Sequence, residues 1–204
     1  MSAYKMWHNT WTESYKYFGW DPKTVHSDQW TRQDFVGILS YDGRPVGTCF
    51  FKVHRLDLPY IKDDSYFRMW PEAVMDGLEK RCDSNSALVC SWFTLNKEWR
   101  KGVNGIDAKY LLCSMVVKVL QDSTQSNLLC TVVKMSNMDK LVYELGASPI
   151  VKDVDEKGVV VDLGIWKKKE IVNFKFPRMH ETVEQVYSTA YQGDFVFNDA
   201  KEAA

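Results

Sequence analysis

The chain has 204 residues, of which 45% are hydrophobic and 26% are charged, and its formal net charge at pH 7 is −1. These values are ordinary for a soluble globular protein and allow one well-packed domain. A net charge so near zero excludes a whole-protein attraction to nucleic acids or anionic membranes, so a nucleic-acid partner is not expected.

Cysteine usage and apolar runs predict the setting of the protein. The five cysteines are odd in number and form no CxxC pair, and the histidines lie far from one another, so no zinc spacing is visible. We expect reduced, buried thiols, no metal and a cytoplasmic protein. The first residues lack the apolar core of a signal peptide, and no run is long enough to span a membrane.

The first predicted element is an aromatic helix. Trp7, Trp11, Tyr15 and Phe18 recur at spacings of four, four and three, which places four rings on one helical face before Gly19. Two interpretations remain open at this stage. The rings either pack against the core or form an aromatic wall that faces a substrate.

The following elements alternate between strands and helices. Asp42-Gly43 between two β-rich runs predicts a hairpin, and Ser136 or Asn137 is placed to cap a helix. We predict strands over 35–40, 46–53, 87–95, 128–133, 150–154 and 159–166, and helices over 27–34, 72–81, from 108, 138–145 and 181–191. The predicted domain spans 1–170, and 171–204 is a C-terminal extension with one helix and a flexible tail.

The segment 87–122 carries the most definite chemical suggestion. A β-rich run is followed by a polar, basic loop over 96–107 that contains Gly102 and Gly105, and an amphipathic helix begins near Ala108. A loop with free backbone amides, placed before a helix N-terminus and flanked by Arg100 and Lys101, suits a phosphate-bearing ligand. An ordinary basic turn between a strand and a helix is the alternative.

Three motifs make residues 35–166 resemble the GNAT superfamily of acyl-coenzyme A-dependent N-acyltransferases. Residues 42–47 (DGRPVG) are similar to its D-G-x-x-V-G hairpin, and 95–100 (LNKEWR) to its V-x-P-x-[aromatic]-R motif. Residues 128–146 resemble its fifth strand and the helix that ends in L-G-F. The resemblance implies an α/β (α+β) fold: a mixed, mostly antiparallel twisted sheet with a splayed central strand pair and flanking helices.

The resemblance also implies a cofactor, acetyl-CoA or another acyl-CoA, and the residues that hold it. The first three of these residues would flank the pantetheine arm and the others would surround the pyrophosphate: Phe93, Thr94, Leu95, Arg100, Lys101, Gly102, Asn104, Gly105 and Ile106. The loop is about three residues longer than the family pattern, and Lys97 replaces the usual proline.

The implied acid and base are less well matched. The family's thiolate-protonating Tyr falls on Val142, whereas Tyr143 lies one position later and points about 100° away on an ideal helix. Tyr143 is the candidate general acid, with a half-buried structural Tyr as the alternative. Glu98 is the candidate base, although a carboxylate near Arg100 also suits a surface ion pair.

The predicted function is N-acyl transfer, most simply of an acetyl group, directly from acyl-CoA to a primary amine on a small molecule or a protein. A variant with a longer acyl chain is left open, since the aromatic N-terminal helix suits an apolar pocket. The rival hypothesis is a non-catalytic binding module that keeps the fold. No membrane partner is expected, an oligomer is possible, and acceptor identity is not determined.

Overall fold

The computed structural model describes residues 1–102 and 104–190. In these residues the helices are α1 Ala3–Phe18, α2 Asp28–Thr31, α3 Glu72–Met75, α4 Leu78–Arg81, α5 Ala108–Asp122, α6 Met138–Glu144, α7 Lys168–Ile171 and α8 His180–Ser188. The strands are β1 Phe35–Tyr41, β2 Arg44–Arg55, β3 Ser86–Leu95, β4 Asn127–Val133, β5 Ser148–Glu156 and β6 Val159–Lys167. The predicted tail lies beyond residue 190, outside the described residues.

The strands of the described chain form one sheet in the order β1-β2-β3-β4-β6-β5. Only the central β3–β4 pair is parallel; the other neighbours are antiparallel. The β1–β2 hairpin turns at Asp42 (φ 49°) and Gly43 (φ 69°), which are the two positive φ angles that a type I′ turn requires. The mixed, mostly antiparallel sheet predicted from the sequence is confirmed.

The two faces of the sheet bury separate cores, because successive residues of a strand point to opposite sides. We call the side covered by α5 and α6 the α5 face. Its core includes Phe51, Leu88, Leu112, Val116, Leu128 and Trp166. We call the other side, which α1 and residues 56–82 cover, the α1 face. Its core includes Trp7, Phe50, Phe67, Trp70, Leu129 and Val161.

Helix α1 forms where the aromatic spacing predicts it. The Ser2 hydroxyl accepts a hydrogen bond from Lys5 N at its start, and Gly19 ends it in the left-handed conformation at φ 75°. Trp7 is completely buried in the core of the α1 face, whereas Trp11 is half-buried. The helix therefore packs on the sheet through part of its aromatic stripe.

Two local predictions are wrong. The helix predicted over 72–81 is split into α3 and α4 at Asp76 and Gly77, because glycine favours a break. Asn137 precedes α6 in the left-handed conformation at φ 55°, and its side chain makes no capping hydrogen bond to the helix. Ser136 lies in the preceding 3₁₀ turn. The start of α6 is therefore fixed by the backbone of the turn after β4 and not by a capping side chain.

The segment after β6 packs on the α5 face. Ile171, Phe176 and Val183 are buried in that core, and Lys118 of α5 donates to the Glu184 carboxylate at 2.9 Å. Arg178 lies 4.1 Å from the centre of the Tyr110 ring and pairs with Glu144 at 2.8 Å. These contacts hold α5, α6 and α8 together over the sheet.

Candidate functional site between the central strands

The central strands separate half-way along their length. β3 and β4 pair at Leu88–Leu128, Val89–Leu129 and Cys90–Cys130, and no later pair joins them in the described residues. β3 nevertheless continues to Leu95 against β2, and β4 continues to Val133 against β6. A gap therefore opens beyond Cys90 and Cys130, with unpaired backbone groups along both edges.

A β-bulge in β3 stabilises this divergence. The register with β2 shifts opposite Cys49, and Trp92 adopts φ 51°, a conformation that is uncommon for an aromatic residue. Buried Thr94 donates to the Trp92 carbonyl at 2.7 Å and accepts a hydrogen bond from Trp11 Nε1 at 2.8 Å. A bulge bends and twists its strand, so this arrangement turns β3 away from β4.

A cavity of about 1180 Å³ fills the gap. Consecutive residues of both strands line it: Cys90, Ser91, Trp92 and Phe93 on β3, and Cys130, Thr131, Val132 and Val133 on β4. Since consecutive strand residues face opposite sides, a cavity that touches all of them passes through the sheet from one face to the other. The site thus has two chambers joined at the gap.

The chamber on the α5 face is apolar. Cys113 and Val116 of α5, Val142 of α6 and Trp166 of β6 line it together with Cys90 and Cys130. Contact with the Cys49 thiol together with burial raises the pKa of Cys90, and burial raises the pKa values of Cys113 and Cys130. The raised pKa values favour the neutral thiol over the more nucleophilic thiolate, and the side chains pack as small hydrophobic groups.

The chamber on the α1 face is aromatic and polar. Trp11, Ser14 and Phe18 of α1 line it opposite Trp92 and Thr131. Thr12 also lines the cavity, and its buried hydroxyl has no hydrogen-bond partner among the residues that the structure describes. Trp7 of α1 therefore belongs to the core, whereas Trp11 and Phe18 reach the cavity.

The mouth of the cavity is basic. Lys97 and Arg100 from the loop after β3 and Lys109 from the first turn of α5 line it, and Lys109 Nζ donates to the Ser136 carbonyl at 3.3 Å. Glu98 lies at the same mouth and is exposed. Three positive charges and one negative charge leave a local positive surplus that suits an anionic group.

The first turn of α5 carries its own carboxylate. Asp107 accepts a hydrogen bond from Tyr110 N at 3.0 Å and lies 3.6 Å from Arg178. This cap uses one of the free amides of the helix and places a negative charge at its N-terminus. Side chains at the mouth are therefore better placed than this helix end to bind an anion.

The structure divides the predicted site residues into two groups. Phe93, Leu95, Glu98 and Arg100 line the cavity, whereas the following residues are not among its lining: Thr94, Lys101, Gly102, Asn104, Gly105, Ile106 and Tyr143. A Cβ at Gly102 would lie 2.5 Å from the Ile106 carbonyl oxygen, so the loop's own backbone requires this glycine. Asn104 contacts the Tyr41 hydroxyl at 3.5 Å.

Tyr143 of α6 does not line the cavity but forms a hydrogen-bonded network with Asp162 of β6. Its hydroxyl donates to Asp162 at 2.6 Å, and the backbone amide of Asp153 donates to the other carboxylate oxygen at 2.9 Å. Burial and the bond to Asp162 raise the pKa of Tyr143. Burial of Asp162 opposes ionisation, but the hydrogen bonds from Tyr143 and Asp153 and the charge of Lys134 outweigh it and lower the pKa of Asp162.

Most of the cavity wall is formed by residues that the sequence did not mark as functional. The lining residues that were not predicted include Ser14, Lys109, Cys113, Val116, Cys130, Thr131 and Val142. The position of the splay is not visible in the sequence, because it follows from the register in which Cys90 and Cys130 form the last pair between β3 and β4. Val142 occupies the family's Tyr position, and it does reach the cavity.

No family model matches this chain, and a search of curated proteins finds no match. Among solved structures, FeeM, an N-acyl amino acid synthase from uncultured soil microbes, has a TM-score of 0.54 at 13% identity, covering 80% of this chain and 85% of that chain. BjaI, a CoA-dependent acyl-homoserine lactone synthase solved with SAM and isopentyl-CoA, has a TM-score of 0.53 at 10% identity, covering 90% and 79%.

These structural neighbours are acyltransferases of the GNAT fold. At identities of 10% and 13% the likeness concerns the fold. The chain has the GNAT fold that its motifs predicted: a mixed sheet whose central parallel strands diverge around a cavity, with helices on both faces. No helix in the described ranges has the length and apolar character needed to cross a bilayer.

Proposed function

We propose that the protein is an N-acyltransferase that moves an acyl group from a coenzyme A thioester to an amine. The observation that carries the proposal is the cavity that passes through the sheet between β3 and β4. It offers two substrates separate approaches that meet at the gap. FeeM and BjaI, whose names describe acyl-transferring synthases, support the same class.

In this proposal the donor enters at the basic mouth. Lys97, Arg100 and Lys109 bind its phosphates by charge, and the unpaired backbone edges of β3 and β4 hydrogen-bond its amide-bearing arm as an added strand would. The thioester carbonyl then lies in the gap. The helix N-terminus contributes little, because Asp107 already caps it.

The reaction needs positioning more than an unusual side chain. The amine nitrogen attacks the thioester carbonyl carbon, the C–N bond forms, and the C–S bond breaks. The proton lost by the nitrogen balances the proton gained by the departing thiolate. Tyr143 is engaged with Asp162, so the proposal does not require it as the acid. Buried, neutral Cys90, Cys113 and Cys130 do not act as nucleophiles, which favours direct transfer.

The apolar chamber favours an acyl chain longer than acetyl. The whole cavity, with both chambers and the mouth, has a volume of about 1180 Å³, and ordinary small-molecule pockets have roughly 300–1,000 Å³. Its α5 side is closed by the uncharged side chains of Val116, Val142 and Trp166. Each methylene that enters such a chamber contributes about 0.8 kcal/mol. Acetyl transfer, the simpler expectation from the resemblance, is the second candidate.

A donor series tests both the class and the chain length. Calorimetry with the full chain compares CoA, acetyl-CoA, octanoyl-CoA and dodecanoyl-CoA, and we expect affinity to increase with chain length by up to about fourfold per methylene. Equal binding of acetyl-CoA and the longer donors would favour acetyl transfer. Absence of binding by every donor would contradict the proposal and favour the non-catalytic module.

The substitution Arg100→Ala tests whether the donor binds at the mouth of the cavity. Loss of one charge-assisted contact to a phosphate is expected to weaken CoA binding about tenfold. Arg81→Ala is the matched control, since Arg81 is an exposed arginine on α4 that does not line the cavity. Equal effects of the two substitutions would place the donor elsewhere. The acceptor is an amine-bearing small molecule or protein, and the free thiols favour a reducing, cytoplasmic setting.

A further inference from the structure

The chamber on the α1 face is the open side of the cavity. Trp11 and Phe18 of α1 and Trp92 of β3 line it and are half-buried, so part of each ring is free to contact a ligand. On the α5 face, by contrast, the lining side chains of Cys113 and Val116 are only 2% exposed. A second substrate that enters from the α1 face therefore meets aromatic rings first.

The two indole rings form a corner that is close to a right angle. The ring centres of Trp11 and Trp92 lie 4.8 Å apart, and the angle between the ring planes is 78°. Thr94 holds both residues, because its hydroxyl accepts a hydrogen bond from Trp11 Nε1 at 2.8 Å and donates to the Trp92 carbonyl at 2.7 Å. A third flat ring in such a corner can stack on one indole and meet the other edge-on, which are the two arrangements that aromatic pairs prefer.

One buried polar group of this chamber has no partner. Among the described residues, five buried polar side-chain atoms lack a hydrogen bond, and of these five only the Thr12 hydroxyl lines the cavity. Two other hydroxyls of the lining are paired: Ser14 donates to the Thr10 carbonyl at 2.9 Å, and Thr131 donates to the Tyr66 hydroxyl at 3.4 Å. A buried hydroxyl without a partner is costly, so a ligand with a polar group at this point would gain a hydrogen bond.

The chamber offers no buried counterion. In the part of the chain that the structure describes, no Asp, Glu, Lys or Arg side chain of the cavity lining is buried. The two such residues that α1 contributes, Glu13 and Lys16, are exposed and opposite in sign. A second ammonium group or a carboxylate on the acceptor would therefore leave water without a partner, which is unfavourable. Apart from its reacting nitrogen, the acceptor is thus expected to be uncharged.

We infer that this chamber binds the aromatic ring of an arylalkylamine acceptor, with the ring in the corner of Trp11 and Trp92 and a polar ring substituent bonded to the Thr12 hydroxyl. This inference rests on the proposed function, because the reacting nitrogen must reach the gap. Trp92 lies two residues beyond the last pair between β3 and β4, so the corner adjoins the gap. A short alkyl chain is therefore enough to carry the nitrogen from the ring to the gap.

Direct binding of three amines tests the subsite without turnover. Calorimetry with the full chain compares tyramine, phenethylamine and hexylamine, and we expect the two aromatic amines to bind about tenfold more tightly than hexylamine. Thr12→Val removes the hydroxyl and keeps the side-chain shape, so tyramine should bind about threefold to tenfold more weakly, whereas phenethylamine should bind as before. Thr182→Val, on α8 and outside the cavity lining, is the matched control.

Trp11→Leu tests the aromatic corner. Without one of the two indoles, phenethylamine should lose most of its advantage over hexylamine, because the ring keeps only one aromatic partner. Trp30→Leu is the matched control, since Trp30 is a half-buried indole on α2 that does not line the cavity. It should leave the ratio of the two affinities unchanged.

Octanoyl-CoA binding and thermal unfolding of each variant separate this inference from the proposed function. If no donor binds, but the aromatic amines do and Thr12→Val weakens tyramine alone, the function fails and the ring subsite stands. If hexylamine binds as tightly as phenethylamine, or no amine binds, the subsite is overturned whether or not donors bind. A lowered Tm together with equal losses for tyramine and phenethylamine in Thr12→Val would mean that Thr12 is only structural, and no loss for either would overturn its assigned contact.

Discussion

The two edges of β4 differ in a way that explains the site. One edge pairs with β6 over the whole strand, from Asn127 to Val133, whereas the other pairs with β3 only as far as Cys130. The first edge fixes the strand in the sheet, and the second leaves backbone and side chains free to contact a ligand. Stability and binding are therefore expected to depend on different residues of the same strand.

The paired part of β4 should give the largest effect. Leu129 is completely buried, lies between Val89 and Ile165, and packs in the core of the α1 face. Leu129→Ala should lower the free energy of unfolding by about 2–5 kcal/mol because it removes buried methyl groups and leaves a cavity. Urea denaturation measures the loss.

Val160→Ala is the control for that experiment, since Val160 on β6 is 45% exposed. It should change the free energy of unfolding by less than about 0.5 kcal/mol. Similar losses for the two variants would contradict the view that burial along the paired edge holds β4 in place.

The Asp162 network should give the next largest effect. Asp162 lies on β6 opposite Val132, and its side chain is 1% exposed. Its folded-state pKa is lowered, so its charge stabilises the fold above the ordinary pKa of about 4, and this contribution is lost as pH falls through the folded-state value. Asp162→Asn should therefore cost about 1–3 kcal/mol at pH 7.

The difference between Asp162→Asn and the wild type should shrink as the pH is lowered below about 4, and urea denaturation across pH 3–7 measures it. Tyr143→Phe removes the hydrogen bond at 2.6 Å and should also destabilise the fold, by about 1–2 kcal/mol. Acyl transfer that is lost in Tyr143→Phe, at temperatures where the variant stays folded, would instead restore the general-acid hypothesis.

The cavity along the open edge of β4 should determine which length of acyl chain binds. Val116 on α5 lines the apolar chamber, and Val116→Phe fills part of it. Binding of dodecanoyl-CoA should fall about tenfold, while binding of acetyl-CoA should change less than about twofold, because only the longer chain needs the volume. Calorimetry with the two donors gives the ratio.

Val119→Phe is the matched control on the same helix, since Val119 packs against the core but does not line the cavity. Both substitutions add the same volume, but Val116 is buried and Val119 is only partly buried, so unfolding measurements on both variants quantify the cost of overpacking at each position. A parallel loss for both donors in Val116→Phe would mean that the chamber does not receive the acyl chain.

How much of this site the sequence predicts depends on whether local patterns suffice. Strand alternation and the Asp42-Gly43 turn predict the hairpin and the sheet. The three family motifs, in their order along the chain, predict the splayed central pair of strands. Gly102 does not by itself identify a phosphate site, because the Ile106 carbonyl requires a glycine there whether or not a ligand binds. The cavity wall could not be predicted, since the positive φ of Trp92 and the position of α1 over the gap depend on tertiary contacts such as Trp11 with Thr94.

Substitution of Glu98 should have a smaller effect than the substitutions at Leu129, Asp162 and Val116. It lies at the mouth of the cavity among basic residues, whereas the reacting groups in the proposed function meet at the gap beyond Cys90 and Cys130. A base must lie within hydrogen-bond reach of the proton that it removes, directly or through one water molecule. Glu98→Gln should therefore reduce kcat less than about threefold, and it should slightly tighten CoA binding because it removes a negative charge beside Arg100. Steady-state kinetics across pH 6–9 checks both parts. A hundredfold loss of kcat with unchanged donor affinity would make Glu98 the base, and it would move the reaction from the gap to the mouth.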